Sequence, residues 1–222
     1  MNTVDDTIKK RHATRGFLDK PVSHELIEQI LEAARWAPSG VNSQPWNVAV
    51  VEGKTKQSLA DHIISARESN HQPNPDYQYY PDEWKEPYKS RRKDSGLALY
   101  RALKIRREDT EKQKQAWYNN YQFFGAPVGL IFYIDKQLNK GSWLDMGMFL
   151  ENVMLVATSM GLSTCPQAAL AEYPDIVRKI LNIDEQYHIV CGMALGYADE
   201  SHPANSYRLK RAPVEEFTRW FK

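Results

Sequence analysis

The pattern of hydrophobic and polar positions along the chain predicts more helices than strands. Ser23 is a suitable N-cap, and apolar residues recur at helical spacing from there to residue 34, where Pro38 and Gly40 follow as breakers. Further helices are predicted for residues 3–11, 56–65 and 175–181, and the charged stretch 95–121 predicts one helix or a helix pair.

Three short apolar runs predict buried strands, at residues 48–51, 128–134 and 187–195. Residues 145–160 are apolar around nearly the whole helix circumference, which predicts a helix buried either centrally or in a subunit interface. Residues 164–168 are predicted to form a loop. Few strands among many helices predict an α+β domain over residues 1–222, with helices packed on one sheet.

The segment 70–92 has a different composition from the rest of the chain. It is rich in Pro, Tyr, Trp and acidic residues and shows no regular period. A long irregular segment within a compact domain is usually functional or disordered, and the aromatic content argues against disorder. We therefore expect an ordered lid or flap.

Composition and charge exclude several classes of function. Lys and Arg total 29 against 28 Asp and Glu, a formal net charge of +1, whereas nucleic-acid readers usually show a basic excess. The longest apolar stretch, residues 126–134, is far shorter than the roughly 20 residues that span a bilayer. Two cysteines, Cys165 and Cys191, cannot form a disulfide framework, and a reducing cytoplasm is expected.

Several common catalytic motifs are missing from the sequence. There is no G-x-G-x-x-G, Walker A or G-x-S-x-G motif, and the six histidines lack metal-binding spacing, so no metal is expected. Cys165 is a candidate nucleophile, but no partner for it is identifiable, and an inert thiol is the commoner case.

Three polar clusters remain as candidate chemistry. Arg11 and Arg15 can face the same way if their helix continues; guanidinium forks suit phosphate, although a basic helix end alone would explain the pair. The segment 38–46, PSGVNSQPW, has more polar groups than a plain turn needs. Near the C-terminus, Arg208, Lys210 and Arg211 are either a phosphate site or a solvated basic end.

In this order and at this spacing, RHATRGF followed by PSGVNSQPW resembles the FMN-binding signature of the nitroreductase family. The resemblance continues through APVGLIFYID, DMGMFLENVMLVATSMGL, CPQAAL and RLKRAP. It implies a nitroreductase-like α+β fold, with a central, mostly antiparallel sheet flanked by helices, and a homodimer with an extensive interface. It also implies an FMN-dependent oxidoreductase that transfers hydride from NAD(P)H through the flavin to a nitroaromatic or related acceptor in a ping-pong cycle.

The resemblance also implies roles for particular residues. Arg15 would stabilise the negative charge of the reduced flavin, which itself performs the redox chemistry. Part of the 38–44 loop would come from the partner subunit. The residues implied to contact FMN are Arg11, His12, Ala13, Arg15, Pro38, Ser39, Asn42, Gln44, Pro166, Gln167, Ala168, Ala169, Arg208 and Arg211. Ala13 stands where the family usually has Ser, and residues 167–169 depart from the usual pattern, so contacts there must come from the main chain.

Aromatic residues of the flap are candidates for the acceptor pocket. The proposed pocket residues are Tyr80, Trp84, Tyr88 and Phe124, and interface packing is the alternative use of these side chains. A quinone, an enone, free flavin or a halogenated phenol is an alternative acceptor on the same fold. A non-catalytic flavin-binding or nucleic-acid-binding module is the alternative from another class, favoured by basic residues between 91 and 114, but acidic residues interrupt that run. The expected partners are therefore a second copy of the chain and a small-molecule acceptor, without nucleic acid or membrane.

Overall fold

The computed structural model describes residues 3–222, and within that range the chain forms eight α-helices and four strands. The helices are Val4–Lys10 (α1), His24–Ala34 (α2), Gly53–Glu68 (α3), Tyr88–Ala102 (α4), Thr110–Tyr118 (α5), Lys140–Ser159 (α6), Pro174–Leu181 (α7) and Val214–Phe217 (α8). The strands are Asn47–Glu52 (β1), Val128–Asp135 (β2), Ser163–Gln167 (β3) and Tyr187–Gly196 (β4). Short 3-10 turns cover Gly40–Asn42, Phe123–Gly125, Ala168–Glu172 and Pro203–Asn205.

The four strands form one antiparallel sheet in the order β1-β2-β4-β3. The three predicted strands are found near their expected positions. The prediction of a loop at residues 164–168 is wrong, because most of this segment belongs to β3. Among the four strands it pairs with β4 alone, and such an edge strand tolerates Pro166, whose missing N–H would disrupt a central strand. A short strand with a proline and polar residues carries no alternating pattern to reveal it.

Helices cover both faces of the sheet. Side chains of β2 alternate between two cores, with Leu130 and Phe132 on one face and Ile131 on the other. On the first face they pack with α2 and α6, and on the second with α3 and α7. Burial on both sides explains why β2 is a nearly continuous apolar run.

Helix α6 is buried along one side only in the single chain. Met146, Phe149 and Val153 lie in the core, whereas Leu144 is 73% exposed and Met148, one turn later, is also exposed. Central burial all round, one of the two sequence-based alternatives, is therefore wrong for this helix. The exposed apolar side leaves the second alternative, a subunit interface.

The predicted flap is fastened at its start and shorter than expected. Helix α4 begins at Tyr88, so the irregular segment covers about residues 70–87, and the charged stretch that follows forms the pair α4 and α5. Asp76 accepts hydrogen bonds from buried Arg178. The Tyr77 hydroxyl donates to the Val190 carbonyl at 2.6 Å. These contacts tie residues 76–77 to the sheet.

Within residues 3–222, no helix combines the length and apolar character needed to span a membrane.

Candidate functional site

The first polar cluster lies in an extended segment beside the sheet. Helix α1 ends at Lys10 and Arg11 adopts an extended conformation, so the helical continuation that would have aligned Arg11 with Arg15 is absent. Ala13 instead forms a parallel bridge with Thr164 of β3, and the Thr14 amide donates to the Thr164 carbonyl at 3.0 Å. Side chains alternate in an extended chain, which places Arg11 and Arg15 on one side while Thr14 is buried.

Asn205 joins this segment to the C-terminal part of the chain. Its side-chain oxygen accepts from the Arg15 amide at 2.7 Å, and its amide group donates to the Gly16 carbonyl at 2.8 Å. A Cβ at Gly16 would lie 2.2 Å from the His202 ring, so only glycine fits. The sequence analysis missed Asn205, since a single asparagine carries no pattern that reveals a partner 190 residues away.

A cleft of about 500 Å³ opens where the two segments meet. The predicted flavin contacts that line it are Arg11, His12, Ala13, Arg15, Arg208 and Arg211. The structure thus brings the first and third polar clusters together. Tyr207 and Ser95 also line the cleft and were not predicted.

The guanidinium groups of the cleft have little charge compensation. Arg11 lies 3.8 Å from Glu151. Within residues 3–222, Arg15, Arg208 and Arg211 form no ion pair; Arg208 donates to the Asn205 and Tyr207 carbonyls, and Arg211 to that of Leu209. Such a concentration of cations favours an anionic ligand.

The surroundings of His12 in this cleft favour its neutral form. Burial, the largest effect, lowers the pKa of His12, against the opposing effect of a hydrogen bond to the Lys10 carbonyl. The charges of Arg208, Arg11 and Arg15 lower the pKa further. A neutral imidazole adds no charge to the cleft; its one donor, Nδ1–H, is used by the Lys10 carbonyl, which leaves Nε2 as an acceptor.

The second signature, residues 38–44, lies away from the arginine cleft in the single chain. Pro38, Ser39, Asn42 and Gln44 do not line the cleft. The loop is held by the Gly40 amide, which donates to the Asp145 carboxylate at 3.1 Å.

The tip of this loop is strained and fully exposed. Val41, Asn42 and Gln44 have φ values of 49°, 59° and 47°, the left-handed region that costs β-branched residues most. Val41 is nevertheless completely exposed. Packing of the Val41 side chain within the described residues therefore does not explain this strain.

The predicted contacts at Pro166, Gln167, Ala168 and Ala169 lie at the end of β3, and these residues do not line the arginine cleft. Gln167 is buried and its side-chain amide donates to the Asn120 carbonyl, while its side-chain oxygen has no partner within the described residues. The Gln167 side chain therefore points into the protein, and a ligand here would meet the main chain, the exposed Pro166 and the half-buried Ala168.

The aromatic residues predicted for the acceptor pocket are split between two places. The guanidinium of Arg15 lies 6.0 Å from the ring centroid of Phe124, so these two residues share a site. Tyr80 and Trp84 instead pack against each other, with ring centroids 5.6 Å apart and ring planes tilted by 47°. Tyr88 is exposed at the start of α4, and neither it nor that pair lines the arginine cleft.

Cys165 is unsuited to nucleophilic attack. Burial raises the pKa of its thiol to about 11, against the opposing charges of Arg15 and Arg11. The thiol therefore stays protonated near neutral pH and behaves as a core residue.

Fold and cleft together define an α+β protein with an arginine-rich cleft between two segments distant in sequence. The sequence profile of the Nitroreductase family matches residues 8–197. The chain belongs to the nitroreductase family, which confirms the predicted family and fold.

Relatives and solved structures agree with this assignment. The chain is 41% identical to 4-nitrobenzoate reductase of Pseudomonas putida, over 96% of this chain and 93% of that protein. It is 38% identical to nitrobenzene nitroreductase of Ectopseudomonas oleovorans, over 97% and 95%. The FMN and NADPH-dependent nitroreductase NfnB of Sphigopyxis sp. strain HMH superimposes with a TM-score of 0.94 at 36% identity, covering 100% of both chains.

Proposed function

We propose that this chain is an FMN-dependent oxidoreductase that uses NAD(P)H to reduce nitroaromatic compounds. The observation that carries the proposal is the cleft in which Arg15, Arg208 and Arg211 have no ion-pair partner within residues 3–222. The relatives support the acceptor class, since their names specify 4-nitrobenzoate and nitrobenzene, both nitro-substituted benzenes.

The residues of the cleft fit FMN. Its phosphate is a dianion, and Arg11, Arg208 and Arg211 offer the planar forks that bind phosphate oxygens in pairs. Neutral His12, whose Nε2 is left as an acceptor, suits the hydroxyl groups of the ribityl chain, which can donate to it. Arg15, beside Phe124, is left for the pyrimidine edge of the ring.

When bound, FMN would accept hydride from NAD(P)H and pass it to the acceptor. The chain itself binds and orients the reactants and provides fixed charge. Arg15 would place a fixed positive charge where negative charge develops on reduction. Ala13 leaves the ligand without the hydroxyl contact usual at this position, so the guanidinium groups carry more of the binding.

A homodimer would complete the site, and α6 is the helix through which the two subunits would pair. The 38–44 loop is tied to Asp145, and Glu151 of the same helix lines the arginine cleft, about 9 Å further along the axis. Leu144 and Met148 are exposed apolar residues on this helix. Pairing α6 with its two-fold mate in antiparallel orientation would bury them and bring the loop of one subunit, with Ser39 and Asn42, to the cleft of the other.

Two further expectations remain predictions. The chain is proposed to act as a single domain, with the 70–87 segment as its flap. A cytoplasmic location is supported by the free, buried state of Cys165 and Cys191, which suits a reducing compartment.

The test of the proposal is spectroscopic. Purified protein incubated with FMN is expected to retain it and to bleach when NADPH is added without oxygen. Arg15→Ala is expected to weaken FMN binding or slow bleaching by about tenfold or more, the effect of one charged hydrogen bond. Arg35→Ala, a change of the same charge on the exposed surface of α2, is the control. Failure to retain FMN would overturn the proposal.

A panel of acceptors tests the substrate class. Nitrobenzene and 4-nitrobenzoate are expected to give higher kcat/KM than a quinone, an enone, free FMN or a halogenated phenol. A higher kcat/KM for a quinone, an enone, free FMN or a halogenated phenol, with normal FMN binding, would show that the acceptor class is wrong and the cofactor is right.

A further inference from the structure

A second, larger groove continues from the arginine cleft. It has a volume of about 1220 Å³ and lies between α4 and the segment that follows Tyr207. Arg208, Leu209 and Arg211 line both the groove and the cleft. A ligand in the groove is therefore a direct neighbour of whatever occupies the cleft.

The groove is more basic than the cofactor phosphate requires. Five cations line it, against the two carboxylates of Asp94 and Glu216. Arg91 pairs with Glu216 at 2.9 Å, but both side chains are about half exposed, so the pair is weak and can open. Within the described part of the chain, Arg101 and Lys210 form no ion pair, although both are exposed to the groove.

One wall of the groove is apolar. It includes Leu97 on α4 and Pro213 and Phe217 on the opposite side, and the Phe217 ring is 71% exposed. An exposed aromatic ring beside free cations suits a flat base that carries a phosphate. A nucleic-acid strand fits less well, because the chain as a whole has a net charge of +1 and acids interrupt the basic run.

We infer that this groove binds the adenosine 2′-phosphate end of NADPH, with Arg101 and Lys210 on the phosphate and Phe217 against the adenine. The inference rests on the proposed function, since it assigns the outer half of the electron donor to the groove while the nicotinamide half reaches the cleft. The 2′-phosphate is the group that distinguishes NADPH from NADH. The chain therefore discriminates in favour of NADPH through these two cations.

The binding test uses adenosine 2′,5′-bisphosphate as the probe and adenosine 5′-monophosphate as its comparison. Both are titrated by calorimetry into FMN-loaded protein. The double variant Arg101→Ala/Lys210→Ala is expected to lose about tenfold or more in affinity for the bisphosphate, the loss of one to two charged contacts, while its affinity for the monophosphate changes little. The control, Lys54→Ala/Arg107→Ala, removes the same charge from exposed positions that do not line the groove.

The kinetic test separates the two donors. In the double variant, the ratio of kcat/KM for NADPH to that for NADH is expected to fall about tenfold or more, mainly through KM for NADPH, with unchanged FMN content. Equal losses with both donors, or unaltered affinity for the bisphosphate, would overturn the inference. A protein that takes up no FMN refutes the proposed function instead, and titration of the bisphosphate into that protein still decides the groove.

Discussion

Arginine has opposite roles in two regions of this molecule. Arg178 is buried and faces Asp76, with two nitrogen–oxygen contacts of 2.6 and 3.0 Å and a third hydrogen bond to the Tyr187 carbonyl. Arg208 and Arg211 border the cleft and donate only to neighbouring main-chain carbonyls. Both terminal nitrogens of Arg178 are therefore bonded to groups of the fold, whereas Arg208 and Arg211 retain donors that a ligand could use.

This difference separates an arginine that stabilises the fold from arginines that are proposed to bind a ligand. Removing one member of a buried pair leaves an uncompensated charge inside the protein, which costs folding free energy. Removing an unpaired arginine from a group of like charges costs the empty protein little. The environment of the side chain, not the residue type, decides which property a substitution changes.

The largest expected effect is the loss of stability caused by Asp76→Asn. Loss of this carboxylate leaves Arg178 buried without its main partner and should lower the free energy of unfolding by about 3–5 kcal/mol, measured by urea denaturation. Glu185→Gln is the matched control, because Glu185 also lies near Arg178, at 3.4 Å, but is exposed. Equal losses in the two variants would show that burial does not set the strength of the pair.

The same pair should give a dependence of stability on pH. Burial raises the pKa of Asp76, but hydrogen bonds from Arg178 and the Ile189 amide outweigh it and hold the pKa below its usual value. A lowered folded pKa stabilises the protein above the unfolded pKa, near 4, and this contribution disappears as the pH falls through the folded value. The difference in unfolding free energy between wild type and Asp76→Asn should be constant above about pH 5 and shrink below about pH 4. A difference that grows on acidification would contradict the assignment.

Arg211→Ala should change ligand binding without changing the fold. The affinity for FMN is expected to fall about 10- to 100-fold, as loss of a charged hydrogen bond predicts, measured by quenching of FMN fluorescence. Unfolding of the FMN-free protein should be unaltered. Lys9→Ala is the control from the same cleft, since Lys9 is already paired with Asp5 at 2.6 Å. Comparable losses of affinity in both variants would remove the distinction between paired and unpaired cations.

The smallest effect is expected at Glu216→Gln. Its ion pair with Arg91 is half exposed, so the free energy of unfolding should fall by less than about 1 kcal/mol. A loss as large as that of Asp76→Asn would mean that α4 and the segment after Tyr207 depend on this contact.

Much of the fold was predictable where an element carries its own hydrophobic signal. Helix α2, β2 and β4 have regular or continuous apolar runs, since each buries its side chains in a core. Strand β3 has no such signal, because it is a short edge strand that contains Pro166. A local hydrophobic pattern predicts elements that pack extensively in a core. It misses an edge strand that is held by hydrogen bonds to its neighbouring strand.

The site was predictable only as far as motifs go. The resemblance pointed to Arg11, Arg15 and Arg211, and the structure places them in one cleft. The resemblance gave no indication of Asn205. It also gave none of the contact that anchors the predicted flap, in which Asp76 accepts from Arg178, 102 residues later. Long-range contacts between single polar residues leave no periodic trace in a sequence.

The walls of the arginine cleft come from segments that Asn205 joins across 190 residues. During synthesis, residues 11–15 leave the ribosome long before residues 205–211 exist. A ligand that needs both walls can therefore bind only after translation of nearly the whole chain. Until then the early arginines lack the residues that form the other wall, so the complete cleft exists only late in synthesis.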